Sequence, residues 1–348
     1  MQIMQSRGNR MEMRKLQKIK GGSFTISLPK DWVEELKLKR GEQMAVSEEE
    51  DGSLRIYPVS EPLEKSYEVT LALEEYPNLR ALEYCVATYY IQGSKKINMV
   101  SKQIIPAEDK KRLKLLRTEL PGVEVAEEKA DRLSFQVLID PTAFGLESLI
   151  EKTSSFSLHL QEDAVKSVLE NNVQLAKEVV ERSREALRHY RMTIRQVALS
   201  SLDKTIAKEV GVRDCQECVT FALIARDLNR VVYHSSSIAG HLLDLKSKEI
   251  DREILDMIED ISEVAYEMQR DVVQAFLKKD IRLAIRAMGQ MDEAREREKM
   301  LLTKIMDNVK DMDAAVSLSM IARDLRMIAG YSVAIADDAM NRVLTPTS

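Results

Sequence analysis

Two sets of residues in this chain have types and spacing that could do chemistry. The first is basic: Arg14, Lys15, Lys18, Lys20 and Lys30 crowd one short stretch, and Lys37, Lys39 and Arg40 follow closely. Residues 1–40 carry ten Lys or Arg against four acids, about +6, while the whole chain is −5, so the remainder carries about −11. A positive tip on a negative body suits a phosphate backbone, because each cation that meets a phosphate releases a condensed counterion. The second set is a repeat. Ile224-Ala225-Arg226-Asp227-Leu228 recurs as Ile321-Ala322-Arg323-Asp324-Leu325, 97 positions later. Recurrence of the Arg-Asp pair implies a shared task for Arg226, Asp227, Arg323 and Asp324: a salt bridge between related helices, or recognition of a partner.

Other reactive types read as structural. Cys215-x-x-Cys218 has neither a second cysteine pair for zinc nor a βαβ setting for redox work, so these are packed thiols. His159, His189, His234 and His241 have no Cys or His at ligand spacing and read as ordinary helix residues. Ser235-Ser236-Ser237 has no paired base or oxyanion loop, and Asp337-Asp338 reads as a solvated helix face. No catalytic group, metal site or cofactor is implied, so the protein is not expected to be an enzyme.

The basic set must be positioned by a small β unit over residues 11–58. Phe24, Ile26 and Leu28 alternate with Thr25 and Ser27 as a half-buried strand. Pro29 suits the first turn of a helix whose apolar face is Trp32, Val33 and Leu36, Gly41 stops that helix, and a hairpin turns at Asp51-Gly52. So small a unit buries too little surface to stand alone, which implies a dimer. With the basic strand Arg14–Lys20, the Gly21-Gly22 turn and Thr25-Ile26-Ser27-Leu28-Pro29, it resembles the AbrB/MazE/SpoVT swapped-hairpin family. That resemblance implies two interlaced chains binding DNA, with Arg14, Lys15, Lys18, Lys20 and Lys30 as the contacts.

A linker at 58–62 leads to a small α/β domain over 63–141. The expected order is strand 67–73, helix 78–92, strand 96–100, helix 106–116, then strands 123–126 and 133–139. This βαβαββ unit holds no nucleophile, metal cluster or phosphate-binding glycine loop, and a spacer or dimer contact is preferred over a small-molecule sensor. Three cysteines are too few for a disulfide framework, no apolar run reaches membrane-span length, and MQIMQSRGNRMEM lacks a signal-peptide core. A cytoplasmic protein without membrane insertion is expected.

From about 146 the chain reads as helix, with no proline between Pro141 and Pro346. Six helices are expected at about 161–185, 187–210, 214–244, 249–277, 280–309 and 311–343. They form two three-helix repeats, about 160–245 and 249–343, within a domain at 150–344. Ser235 pairs with Ser332, and Ile238-Ala239 with Ile335-Ala336, at the same offset. The duplicated pattern is similar to the PhoU family of phosphate-uptake regulators. That resemblance completes a multidomain α+β chain: a swapped-hairpin β unit, a βαβαββ domain and a six-helix PhoU-like bundle. Family members carry Glu and Asp four residues apart on each third helix, where they hold iron or zinc. Here those positions are Asn229/Tyr233 and Arg326/Gly330, so no metal is expected there. The two resemblances together imply a phosphate-responsive regulator of phosphate uptake that binds promoter DNA as a homodimer. Its implied partners are promoters of phosphate-transport genes and the ATPase subunit of a phosphate transporter. The alternative is an interaction module that restrains the transporter by contact alone, the N-terminal unit serving only to dimerise.

Overall fold

The computed structural model describes residues 12–19, 21–48, 52–59, 68–245 and 250–344. It divides into two compact units, Met1–Lys65 and Ser66–Ser348.

In the N-terminal unit, β1 (Gln17–Lys18) pairs antiparallel with β2 (Phe24–Thr25) across a tight turn. Gly21 and Gly22 hold φ of 118° and 98° there, values that side chains disfavour. Helix α1 (Lys30–Glu35) follows Pro29, and β3 (Met44–Glu48) pairs with β4 (Leu54–Pro58), Val46 opposite Ile56. The alternation expected over 24–28 gives a strand only at Phe24–Thr25, and two of its apolar residues remain exposed: Phe24 is 60% exposed and Ile26 51%.

The second unit begins with a four-stranded sheet. Strands β5 (Glu68–Ala72), β6 (Lys96–Val100), β7 (Val123–Lys129) and β8 (Arg132–Val137) lie in the order β5-β6-β8-β7, with only β5 and β6 parallel. Helix α2 (Leu79–Ile91) is capped by the Asn78 side chain and supplies the crossover that a parallel pair requires. Helix α3 (Ala107–Glu119) links β6 to β7. Leu82, Tyr90, Ile97, Leu113 and Phe135 are fully buried between sheet and helices.

Nine helical segments follow among the described residues, because three of the six expected helices are broken: 161–185 at Asn171, 187–210 at Asp203 and 280–309 at Gln290. The first repeat contains α4 (Leu146–Leu169), α5 (Val173–Arg182), α6 (Glu185–Leu202), α7 (Lys204–Glu209) and α8 (Cys215–Asp244). The second contains α9 (Arg252–Lys278), α10 (Ile281–Gly289), α11 (Met291–Asn308) and α12 (Met312–Val343). Proline-free breaks use the left-handed region instead: Asn171 (φ 49°) and Lys279 (φ 57°) stop the first helix of each repeat. Asn172 and Asp280 then cap the next by accepting from the backbone N–H of Leu175 and Leu283. Helix α7 is an insertion in the first repeat only.

Both repeats feed the same core. One apolar cluster joins Leu160 and Val231 to Ile258 and Leu325; the other joins Ile150 and Phe221 to Val272 and Ile335. Each such buried side chain stabilises by about 1.5–3 kcal/mol, so neither repeat could leave without exposing much of that surface. The sheet rests on α6. Arg195 lies 4.8 Å from the Tyr90 ring centroid and donates to the carbonyls of Tyr90, Gly93 and Ser94, while Arg191 pairs with Glu119 at 2.6 Å.

Candidate functional sites in the N-terminal unit and at the repeat seam

Arg14, Lys15, Lys18 and Lys30 are all exposed, whereas Lys20 lies outside the described residues. Lys18 sits 5.9 Å from the Phe24 ring centroid, directly across the β1–β2 pair. Arg14 pairs with Glu12, and Lys30 with Glu34 at 3.5 Å on the surface of α1. Exposed pairs of this kind contribute about 0–1 kcal/mol and open readily to a stronger anion. The geometry therefore offers exposed cations near the β1–β2 ribbon and on α1, with Lys18 beside Phe24, and Ile26 and Val46 are exposed as well.

The repeated motif lies on α8 and α12, which pack together along their lengths. Asp324, on α12, receives the α8 imidazoles: His234 Nδ1 is 2.8 Å from Oδ1, and His241 Nε2 is 3.4 Å from Oδ2. Burial alone would raise the Asp324 carboxyl, but the hydrogen bond from His234, with His241 and Ser237 close by, outweighs it and holds the group well below the usual range. Asp227, its repeat mate on α8, is 1% exposed and has another environment. Its two oxygens receive Arg226 from the same helix at 2.9 and 3.2 Å. It also raises Asp338 electrostatically from across the seam. Burial first, then Asp227, push the Asp338 carboxyl up to about 7, with Arg226 working in the opposite direction. Arg323 instead is exposed, with its guanidinium 3.9 Å from the Met320 sulfur.

Three readings of single residues change. Asp338 is not on a solvated face: it is 4% exposed, and only Asp337 faces water. His234 and His241 are not isolated helix residues, since both converge on Asp324. Ser237 does have a base beside it, with His241 Nε2 3.1 Å from its Oγ. It nevertheless sits inside α8, where the backbone N–H groups are spent on the helix, so no oxyanion donors accompany it. The signal for the seam was the same offset of 97, which sets Asp338 against His241; comparing unlike residues at that spacing would have found it.

Arg342 also escaped the sequence reading. Although 2% exposed, it bonds Glu217 at 2.9 Å, pairs with Glu147, donates to the Phe276 carbonyl and lies against the Phe221 and Phe276 rings.

The positions where the resemblance places metal carboxylates do not fit a metal. Tyr233 offers an exposed phenol, Asn229 an amide and Gly330 no side chain, while the Arg326 guanidinium is paired with Glu298 at 3.1 Å. Among the described residues no group of three or more His, Cys, Asp or Glu side chains is arranged to hold an ion. Burial pushes the Cys218 thiol up to about 11, with Cys215 and Asp214 adding to it, so it is no ready nucleophile. His189 meets Phe156 edge-on at 5.5 Å, and burial lowers its imidazole. No described helix is long and apolar enough to cross a membrane.

The family model described as "Antidote-toxin recognition MazE, bacterial antitoxin" matches residues 17–64, so the β unit carries a domain of that type. No curated protein matches the chain. Among solved structures it is similar to PhoU from Pseudomonas aeruginosa, at 16% identity and a TM-score of 0.52, covering 57% of this chain and 95% of that one. It is also similar to the phosphate transport system regulatory protein PhoU from Streptococcus pneumoniae, at 16% identity and a TM-score of 0.47, covering 56% and 91%. The PhoU domain model matches residues 150–242 and 258–339, half of the chain and one segment for each repeat, and the protein belongs to the PhoU domain family.

Proposed function

We propose that this protein regulates phosphate uptake, binding the promoters of phosphate-transport genes as a homodimer through its N-terminal unit. The observation that carries the reading is the pairing, in one small unit, of exposed cations with exposed apolar side chains. Arg14, Lys15, Lys18 and Lys30 are exposed, and so are Phe24, Ile26, Val46 and Leu54. A second copy would cover the apolar set and double the cations, matching a two-fold DNA site. Lys20 extends the basic strand in sequence. In this reading the PhoU-type body receives the phosphate signal in the cytoplasm through a phosphate transporter's ATPase subunit, and regulation is by binding rather than catalysis. Arg226 and Arg323 present a charge at the same place on each repeat and are the candidate partner contacts, while Asp227 and Asp324 secure the helices that carry them.

The test is fluorescence anisotropy of the full chain on phosphate-transporter promoter DNA and a scrambled duplex at two salt concentrations. Tighter promoter binding is expected at both salts. Lys18→Ala with Lys20→Ala should weaken it and flatten the salt dependence by about 0.9 in log–log slope for each phosphate left without its lysine. An unchanged affinity and slope in the double variant would exclude the basic strand as the DNA contact. No binding at low salt would leave an interaction module that acts on the transporter by contact, its N-terminal unit serving for dimerisation.

A further inference from the structure

The seam between α8 and α12 repeats the same construction twice with opposite chemistry. An offset of 97 maps Asp227 onto Asp324 and His241 onto Asp338. Where the internal symmetry sets an imidazole against Asp324, it sets a second carboxylate against Asp227. Both Asp227 and Asp338 are withdrawn from water, and Asp338 Oδ2 is buried without a hydrogen-bond partner among the described residues. Asp227 holds the Arg226 guanidinium on both oxygens.

The other groups around Asp338 offer little compensation. On its own helix Asp337 adds a negative charge, and Arg226 reaches across from α8 with Tyr190 of α6 beside it. Arg342, one turn on, is committed to Glu217 and Glu147. From α9 and α10 the same layer receives Val272, Val273, Phe276, Ala284 and Ala287, none of them titratable.

We propose that Asp338 and Asp227 form a proton latch between the two repeats: a proton on Asp338 lets the acids pack together, and its loss loosens α12 from α8. By the internal symmetry that maps the 3.4 Å contact of His241 with Asp324 onto Asp338 and Asp227, two buried carboxylates share one dry seam and cannot both ionise cheaply; the burial-driven rise of Asp338 agrees. The sign follows from linkage. The folded state binds this proton more tightly than the unfolded chain, so the contribution is complete below about pH 4 and is lost as pH rises toward 7.

The test uses the full chain, with denaturant midpoints between pH 5 and 8.5 for the native protein, Asp338→Asn and Asp227→Asn. Over the lower part of that range the native unfolding constant should carry up to about a tenfold rise per pH unit from this group. Asp338→Asn should remove that component. The infrared band of a protonated carboxyl should be present at pH 5.5, fade by pH 8.5 and be missing from Asp338→Asn. If Asp338→Asn does not fold, Asp227→Asn takes its place and should move the fading of the band to lower pH. A band that survives in Asp338→Asn, an unchanged pH slope in that variant, or a fading midpoint unmoved in Asp227→Asn would overturn the latch.

Discussion

The two repeats have the same backbone plan, yet three equivalent positions on their third helices hold opposite solutions. Asp227 shares its side of the seam with a second buried carboxyl, Asp338, which it pushes up electrostatically, where Asp324 meets two imidazoles. Leu245 is buried in an apolar cluster, whereas its counterpart, Arg342, is buried in a charged one. Duplication thus preserved the fold through its apolar spacing and left the polar positions free to diverge. Because the sign of each buried charge is set by its partner, the two halves should answer pH in opposite directions. The Asp324 side is complete above about pH 4 and is lost as pH falls below it; the Asp338 side is lost as pH rises from about 4 to 7.

The largest effect should come from erasing the Arg342 difference. Arg342→Leu copies the first repeat but leaves Glu217, itself 2% exposed, without that guanidinium. A loss of about 3–5 kcal/mol is expected by denaturant titration. A neutral result would mean that Arg213, 3.2 Å from Glu217, is a sufficient partner alone.

Asp324→Ala comes next. It strips both imidazoles of their common acceptor within a buried seam, and a loss of about 2–3 kcal/mol at pH 7 is expected. Asp227→Ala should cost less at pH 8, because it also relieves Asp338. Equal losses in the two variants would remove the contrast between the seams.

Asp338→His gives the second seam the chemistry of the first. At pH 8 it should raise stability by about 1 kcal/mol or more over the native chain, by replacing a buried carboxylate with a group that can donate to Asp227. A destabilised variant would show that the site is too tight for a ring.

The smallest contrast lies at the helix breaks. Lys279→Gly should stabilise by about 0.5–1 kcal/mol, because a left-handed lysine carries a Cβ penalty that glycine lacks. Asn171→Gly should gain less, since asparagine tolerates that region. The difference in thermal midpoint between the two variants measures this directly.

What could be read from the sequence follows the range of the forces involved. The β unit announced itself locally through Pro29, the Gly21-Gly22 turn and the alternation around Phe24, although the strand forms only at Phe24–Thr25 in the single chain. The duplication showed in identical residues at one spacing, and the α8 and α12 boundaries fell close to those expected. The breaks at Asn171, Asp203 and Gln290 were missed because no proline marks them and apolar periodicity continues on either side, whereas the break at Lys279 fell where it was expected, between helices at 249–277 and 280–309. The seam was missed for a different reason. Its pairs join positions far apart in sequence, such as His241 with Asp324, and local patterning is silent about which acid enters the core. Asp338 was misread because two adjacent acids suggest water, although it lies three residues beyond Ile335, on the stripe that the helix buries.

Arg195 has a consequence for anyone who would take the protein apart. Its guanidinium, rooted in α6, finishes the carboxyl end of α2 by satisfying the carbonyls of Tyr90, Gly93 and Ser94. The sheet domain therefore borrows a helix cap from residues a hundred positions downstream. Excised at its own sequence boundaries it would carry an unfinished helix end and a bare Tyr90, so a stable fragment needs α6 as well.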